Sequence, residues 1–444
     1  MSWFLSCVAP RRKAYKRLSA RAPLSFGTEF LSVKEYMMKA KATLDAGLPF
    51  ISDSNKVYII TGNESADMDS FVSALIFGYL TMCKYIKEGQ ESVLSEKKPS
   101  GLTDVGAFMS IINIPRDELM LRPDIMFILE KLDLPMDSLI FKEDILKADI
   151  KPEFTYWGLT DHNKMTGELA MLYDKRVVSI IDHHEDEGYS WSADPRIIEV
   201  VGSCTSLVTQ YFKEGWLMDE PLWPDNDTTA LLCLAPLLID TYNFTLKVTD
   251  TDIYMRDFLL ELLKYSNYIL SDPYYFADNY YMQLIEAKRN VDNFTLRDHF
   301  RKDYKEWTEW NGLKLGMCSL VVRLDWIACR FSDEFWCGME SWAVERNGLD
   351  VVALLTAFDV DGMLNREVLL WVRNPDLIPV FDKVIKEMEY RFTLMTLKND
   401  GVLAPGYKPG FWAWSQLDTS ASRKQIGPFL RGVLQNSHIK KIGY

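Results

Sequence analysis

The sequence predicts an α/β protein: a doubly wound, mostly parallel sheet domain followed by a smaller α/β domain with a mixed sheet. Two patterns carry that expectation. Between Val57 and Lys213, short β-rich runs alternate with helical stretches, as parallel strands joined by crossover helices require. From Gly316 onward a second group of strand-like runs is followed by two helices, Leu377 to Phe392 and Ala421 to Leu434. In a doubly wound sheet, ligands gather beyond the carboxyl ends of the strands, so acidic residues at those ends draw notice.

The elements follow in order. Residues 1–29 form a basic extension in which Arg11, Arg12, Lys13, Lys16, Arg17 and Arg21 precede the first acid, Glu29. Such a stretch reads either as a disordered extension or as a mitochondrial transit peptide. Val57 to Thr61 reads as a buried strand, and Phe71, Val72, Leu75, Ile76, Tyr79, Leu80 and Cys83 then repeat at helical spacing. Further strands are expected at Ser110 to Ile114, Ser138 to Phe141, Thr155 to Leu159, Val177 to Ile181 and Ile197 to Val201. Helices are expected at Asp124 to Leu132 and Thr205 to Lys213. A helical, aromatic stretch spans residues 255 to 285. The first domain is taken as 30–290 and the second as 291–444, with strands at Gly316 to Leu324, Leu349 to Phe358 and Arg366 to Val372.

Composition narrows the function classes. A net charge of −13 argues against a general nucleic-acid coat, although acids that hold divalent cations can still receive a small polyanion. The longest apolar run, Ala230 to Ile239, is about half of the ~20 residues a membrane span needs. Seven cysteines without a Cys-x-x-Cys pair fit neither a disulfide framework nor a thiolate zinc site, which points to a reducing compartment. The aromatic run Phe411 to Trp414 is read as packing rather than as a stacking platform.

Three of the five histidines, His162, His183 and His184, fall within 23 positions, in runs that begin with Asp161 and Asp182. Asp67 and Asp69 follow the first strand, and Asp240 closes the apolar run. Singly, each acid could be a helix cap or a turn residue. Together they form a set of hard oxygen donors with one or two imidazoles, suited to Mg²⁺, Mn²⁺ or Co²⁺ rather than to structural zinc. Two such cations can clamp the attacking and leaving oxygens of a phosphoryl group.

The segments Asn63-Glu-Ser-Ala-Asp-Met-Asp-Ser70, Thr160-Asp-His-Asn163, Asp182-His-His184 and Leu238-Ile-Asp-Thr241 resemble the four motifs of the DHH phosphoesterase superfamily, most closely eukaryotic exopolyphosphatase and its prune relatives. Val201-Gly-Ser-Cys-Thr-Ser206, Asp303-Tyr-Lys305, Arg366-Glu367 and Ser422-Arg-Lys-Gln425 extend the resemblance, which runs from about residue 32 to 435.

The resemblance implies two divalent cations, Mg²⁺ or Mn²⁺ with Co²⁺ as a further candidate. Asp67 and Asp161 would hold one, and Asp69, Asp161, His183 and Asp240 the other. It implies that His184 faces phosphate and that Asp182 orients the histidines. Asn63 stands where related pyrophosphatases have His, so a neutral oxygen donor and a looser first metal site are expected. Asn63, Lys288, Lys305, Arg366, Arg423 and Lys424 are the implied substrate-binding residues, with Arg423 and Lys424 also assisting catalysis from the far side of a cleft between the domains. Asp292 replaces a basic residue found in some relatives.

The expected function is hydrolysis of terminal phosphate from inorganic polyphosphate. The alternatives are a pyrophosphatase, a prune-like short-chain polyphosphatase or nucleotide phosphodiesterase, or a catalytically weak scaffold. The expected setting is the cytoplasm, with a mitochondrial matrix form if the basic extension targets. The expected state is a monomer or weak homodimer, without nucleic acid or membrane.

Overall fold

A computed structural model of the chain describes residues 29–95, 103–217, 225–264, 266–269, 272–360, 363–398 and 401–439. The segment read as a possible transit peptide lies outside them. Two compact units make up the chain, Met1–Lys288 and Arg289–Tyr444.

Among the described residues, the first unit holds a six-stranded sheet: β1 (Lys56–Thr61), β2 (Val105–Ile112), β3 (Ile140–Phe141), β4 (Thr155–Thr160), β5 (Val177–Asp182) and β6 (Arg196–Ile198), in the order β3-β2-β1-β4-β5-β6. Every pairing is parallel. The order reverses between β1 and β4, and such a reversal opens a crevice beyond the carboxyl ends of those two strands. β2 starts five residues before the expected Ser110, and β6 ends at Ile198 rather than Val201.

Helices wrap this sheet: α1 (Val33–Asp45), α2 (Met68–Ser95), α3 (Pro123–Lys131), α4 (Lys142–Ala148), α5 (Gly167–Tyr173), α6 (Cys204–Trp216), α7 (Asn226–Asp240), α8 (Asp250–Leu263) and α9 (Pro273–Arg289). α1 starts with a capping box: the Ser32 hydroxyl accepts from the Glu35 N–H, and the Glu35 carboxylate accepts from the Ser32 N–H. The apolar run before Asp240 is α7, buried at every residue from Thr229 to Ile239. A helix apolar on all sides belongs in an interior, and α7 lies against α2, α6 and α8. Its carboxyl end delivers Asp240. No helix among the described residues is long and apolar enough to cross a membrane.

The second unit contains α10 (Leu296–Arg301), β7 (Tyr304–Thr308), β8 (Lys314–Leu320), α11 (Leu324–Arg330), α12 (Phe335–Glu345), β9 (Val351–Thr356), β10 (Phe358–Val360), β11 (Met363–Val372), α13 (Ile378–Arg391), β12 (Leu394–Thr396), β13 (Phe411–Gln416) and α14 (Arg423–Asn436). Its sheet runs β12-β13-β11-β9-β8-β7, with β10 paired to β11. β8 and β9 are parallel and their neighbours antiparallel, so the sheet is mixed. Both faces are buried: Leu315, Met317, Val351, Ala353, Val368 and Leu370 enter one apolar cluster, while Cys318, Leu320, Val352, Leu354, Leu369 and Trp371 enter the other. Two-sided burial explains why these strands read as continuous apolar runs. The expected strand Gly316 to Leu324 ends at Leu320, because Leu324 already begins α11. Trp414, 1% exposed with its indole N–H donating to Glu389, is a packing residue.

Gly62, directly after β1, lets α2 start close to the sheet. A Cβ there would lie 2.6 Å from the Ser70 carbonyl oxygen and 2.9 Å from its carbon. These are backbone atoms, so no rotamer change relieves the overlap. Gly62→Ala is expected to cost about 1–3 kcal/mol, the usual range for overpacking, seen as a drop of several degrees in thermal melting. A melting curve identical to wild type would show that the β1–α2 junction has slack.

Candidate metal centre

The turn between β1 and α2 carries Asn63, Asp67 and Asp69. Asp67 caps α2, its Oδ1 accepting from the Ser70 N–H at 3.1 Å. Asp69, 2% exposed, faces the start of α6: Oδ1 accepts from Ser203 Oγ, Thr205 N and Thr205 Oγ1 at 2.7–2.9 Å, and Oδ2 accepts from Cys204 N at 2.6 Å. A carboxylate at a helix N-terminus meets unpaired amides and the positive end of the helix dipole, which compensates its burial. Ser203 and Thr205 are site-building residues with no assigned role in the sequence motifs, and the matched run Val201 to Ser206 was the available signal.

Asn63 differs from the expected oxygen donor. Its Oδ1 accepts from Ser65 N and Ser65 Oγ, both at 2.8 Å, and that backbone donor sets the amide's orientation. Nδ2 donates to Asp161 Oδ2 at 2.9 Å and to the Asp161 carbonyl at 3.0 Å. Asn63 thus steadies Asp161 through its nitrogen while its oxygen is engaged within its own turn.

Asp161 follows β4 with φ +61°, a left-handed conformation that Asp tolerates better than most residues. Ser70 Oγ donates to its Oδ2 at 2.5 Å, and its Oδ1 lies 3.1 Å from His183 Nε2 and 3.7 Å from His184 Nδ1. His183 Nε2 is also 3.9 Å from Asp69 Oδ2. Asp182, fully buried at the end of β5, accepts from the backbone N–H groups of His183 and His184, from His184 Nδ1 at 2.8 Å and from Asn163 Nδ2 at 2.6 Å. His183 Nδ1 donates to the Val201 carbonyl at 3.0 Å, which leaves Nε2 directed at the carboxylates.

Asn63, Asp67, Asp69, Asp161, His183 and His184 line one cavity of about 420 Å³ together with Ser65, Gly202, Asp240, Tyr242, Lys247 and Lys288, whereas Asp182 lies behind the wall. Asp67, Asp69, Asp161, Asp240, His183, His184 and Asn63 are all on its wall. Ligand atoms of Asp161, His183 and His184 come within 4.8 Å of one another. Lys288, on α9, also stands 3.8 Å from Asp124.

Burial first, and the neighbouring carboxylates after it, set the electrostatics. Burial, together with Asp69 and Asp67, pushes the Asp240 carboxyl up to about 9. Burial also raises Asp161, but the His183 hydrogen bond opposes the nearby acids and holds it at about 6. For His183, burial works against protonation, yet Asp161 and Asp69 raise it to about 9. Burial would raise Asp182, but hydrogen bonds from His184 and Asn163 bring it below the ordinary carboxylate value. Protons on Asp240 and His183 thus occupy a place where positive charge is favoured, and a divalent cation would displace them.

Within the second unit, Arg366, on β11, donates to the Thr419 carbonyl at 2.9 Å in the β13–α14 connection. Arg423 opens α14 and forms an ion pair with Asp303 at 2.7 Å. A phosphate bound by Arg423 must therefore share the guanidinium with Asp303. Lys424, in the first turn of α14, and Lys305, on β7, are exposed.

A DHHA2 domain matches residues 282–433. Over 391 residues the chain is 29% identical to a Schizosaccharomyces pombe protein provisionally named an exopolyphosphatase, covering 86% of this chain and 91% of that one. It is 26% identical to Exopolyphosphatase PRUNE1 of Mus musculus, over 90% of this chain and 79% of that one. A manganese-dependent inorganic pyrophosphatase of Methanocaldococcus jannaschii is 23% identical, over 59% of this chain and 71% of that one.

The raised groups give a definite pH dependence. Asp240 titrates near 3.9 when unfolded and at about 9 when folded, so its protonated form favours the folded state. That stabilisation is complete below about pH 4 and is lost as pH rises through about 9; His183 and Asp161 act in the same direction. In chelator, the melting temperature of the full chain is expected to fall from about pH 5 to about pH 9. Asp240→Asn, which needs no proton, should flatten the fall and melt above wild type near pH 8.5. Equal slopes in the two proteins would show that Asp240 is ionised in the folded state.

Proposed function

We propose that this chain, a DHHA2-domain protein of the DHH phosphoesterase superfamily, is a metal-dependent exopolyphosphatase that removes terminal phosphate from inorganic polyphosphate. The observation that carries the reading is the convergence of Asp67, Asp69, Asp161, Asp240 and His183 on one cavity, where burial and the neighbouring acids push the Asp240 carboxyl up to about 9 and so favour added positive charge.

The donor set fits two hard divalent cations, Mg²⁺ or Mn²⁺: carboxylate oxygens dominate, one imidazole contributes, and the nearby Cys204 thiol is buried and pushed well above its ordinary value. Asp67 and Asp161 would hold one, and Asp69, Asp161, His183 and Asp240 the other, with Asp161 shared. Bound there, the cations supply Lewis acidity that activates water and neutralises phosphoryl charge.

The chain's own residues do the positioning. Ser70 and Asn63 fix Asp161, and the α6 N-terminus fixes Asp69, so neither carboxylate has to reorganise when substrate arrives. His184 is raised by its hydrogen bond to Asp182, so its Nδ1–H is held by that carboxylate while Nε2–H remains to donate to a phosphoryl oxygen. Lys288 adds a point charge on the cavity wall. Lys305, Arg366, Arg423 and Lys424 are assigned to later phosphates of the chain, which guanidinium binds bidentately and ammonium as a point charge. We place the activity in a reducing compartment, the cytoplasm, in keeping with free thiols at Cys83, Cys204, Cys233, Cys318, Cys329 and Cys337.

Loss of a shared carboxylate disturbs both metals. Asp161→Ala is therefore expected to lower kcat at least ~10²-fold, the scale of one strong electrostatic stabiliser. Near-normal turnover by a folded Asp161→Ala protein would refute the two-metal centre.

Product identity separates the candidate reactions. With Mg²⁺ or Mn²⁺, long polyphosphate should yield orthophosphate from the first turnover while the residual chains shorten gradually. Early accumulation of mid-sized fragments would exclude attack at chain ends. Turnover confined to pyrophosphate would instead identify a pyrophosphatase.

A further inference from the structure

The segment after Asp240 is wound unusually tightly. Tyr242, Asn243 and Phe244 have φ of 50°, 53° and 62°, three consecutive non-glycine residues in the left-handed region, and Lys247 returns there at 54°. Side-chain sterics disfavour such a run, so the surroundings must hold it. Asn243 N donates to the Leu238 carbonyl at 2.8 Å, Thr245 N and Leu246 N both donate to the Thr241 carbonyl, and Phe244 N donates to Thr241 Oγ1 at 3.1 Å. Farther out, Asn243 Nδ2 donates to Asp278 at 2.7 Å and the Arg256 guanidinium covers the Phe244 ring.

The far end of the segment is anchored as well. Thr249 caps α8, and buried Asp252 accepts from Thr249 N, Thr249 Oγ1, Gly202 N and Ser206 Oγ at 2.6–2.8 Å. Between the two anchors, the Lys247 carbonyl packs on Gly202 so closely that a Cβ on that glycine would be 2.5 Å from it. The absence of a side chain at Gly202 allows the segment to lie against the wall that also carries His183 and Asp69. Lys247 is exposed and is one of the residues on the wall of the metal cavity, and none of the described carboxylates forms an ion pair with it. Lys288, by contrast, is drawn toward Asp124.

We infer that Lys247 is a phosphate-binding residue of the metal centre, held at the cavity by the packing of its own carbonyl on Gly202. The inference rests on the polyphosphatase reading, and it adds a residue of the first unit to the binding set. A multiply charged phosphate chain carries more negative charge than the cations alone balance once the acids are ionised. An ammonium on the cavity wall without a carboxylate partner binds such a chain without first breaking an ion pair. Its backbone is already fixed, so mainly side-chain freedom is lost on binding.

The test uses the full chain loaded with Mn²⁺, orthophosphate as the binding probe and tripolyphosphate as the substrate. Lys247→Ala should weaken orthophosphate binding and raise KM about tenfold, the scale of one charge-assisted hydrogen bond, with Mn²⁺ affinity unchanged. Lys247→Arg should restore most of both, and the dependence of KM on ionic strength should be shallower in the alanine variant than in wild type. Wild-type KM and phosphate affinity in Lys247→Ala would overturn the inference, as would an arginine variant as impaired as alanine, since that marks a steric role. Failure of the wild type to hydrolyse any polyphosphate would overturn the function itself, an outcome distinct from both.

Discussion

Several carboxylates converge on the carboxyl end of the first parallel sheet, and each needs its charge compensated where little water reaches. Asp69 is compensated by the amides and hydroxyls of Ser203, Cys204 and Thr205, Asp182 by the backbone and ring donors of the two histidines, and Asp161 by Asn63 and Ser70. Asp240 has no such donor among the described residues, and its carboxyl is the one driven highest. The site is thus built as a set of fixed anions with one remainder, and a proton or a cation must complete it. Burying a charge without a partner costs several kcal/mol, so the polar framework around these acids is a condition for folding this region at all.

That framework determines which pieces of the chain must meet. The reversal of strand order between β1 and β4 brings the Asn63 turn beside Asp161, and Asn63 then bonds across the gap. α6 must point its N-terminus at Asp69, because the unpaired amides of its first turn are what make a buried carboxylate there tolerable. α7 must lie inside the unit, since its apolar surface has no polar face, and its depth carries Asp240 to the cavity wall. The left-handed turn that follows is local strain at the point where a buried helix ends on the cavity wall.

The second unit answers a different constraint. Its sheet is covered on both faces by apolar clusters, so its polar chemistry is confined to strand ends, connections and helix termini. Arg366 and Arg423 are found there, each already engaged by an oxygen of its own unit, Thr419 in one case and Asp303 in the other. Such contacts hold a guanidinium in a defined orientation before any ligand arrives, at the cost of competing with that ligand.

Local pattern was enough to mark the strands from Val57 onward and helices α2, α3 and α6, though not the short α4 and α5, and to single out the acids at Asp67, Asp69, Asp161, Asp182 and Asp240, because side-chain period and the residues that end strands or helices are properties of neighbouring positions. It was also enough to mark the DHH-like runs as one constellation. Tertiary structure alone decided how each acid is compensated. Asn63 could be read from sequence as an oxygen donor, but the Ser65 N–H turns its oxygen away and sets its nitrogen on Asp161. Ser203 and Thr205 gained their roles only when α6 came to face Asp69, 134 and 136 positions away in the chain. Lys247 carries no signature in the sequence, and its place on the cavity wall follows from the approach of its carbonyl to Gly202. The physical reason is common to all three: periodicity reports burial along one segment, whereas the direction of a hydrogen bond or the approach of one backbone to another depends on a partner that the local sequence does not contain.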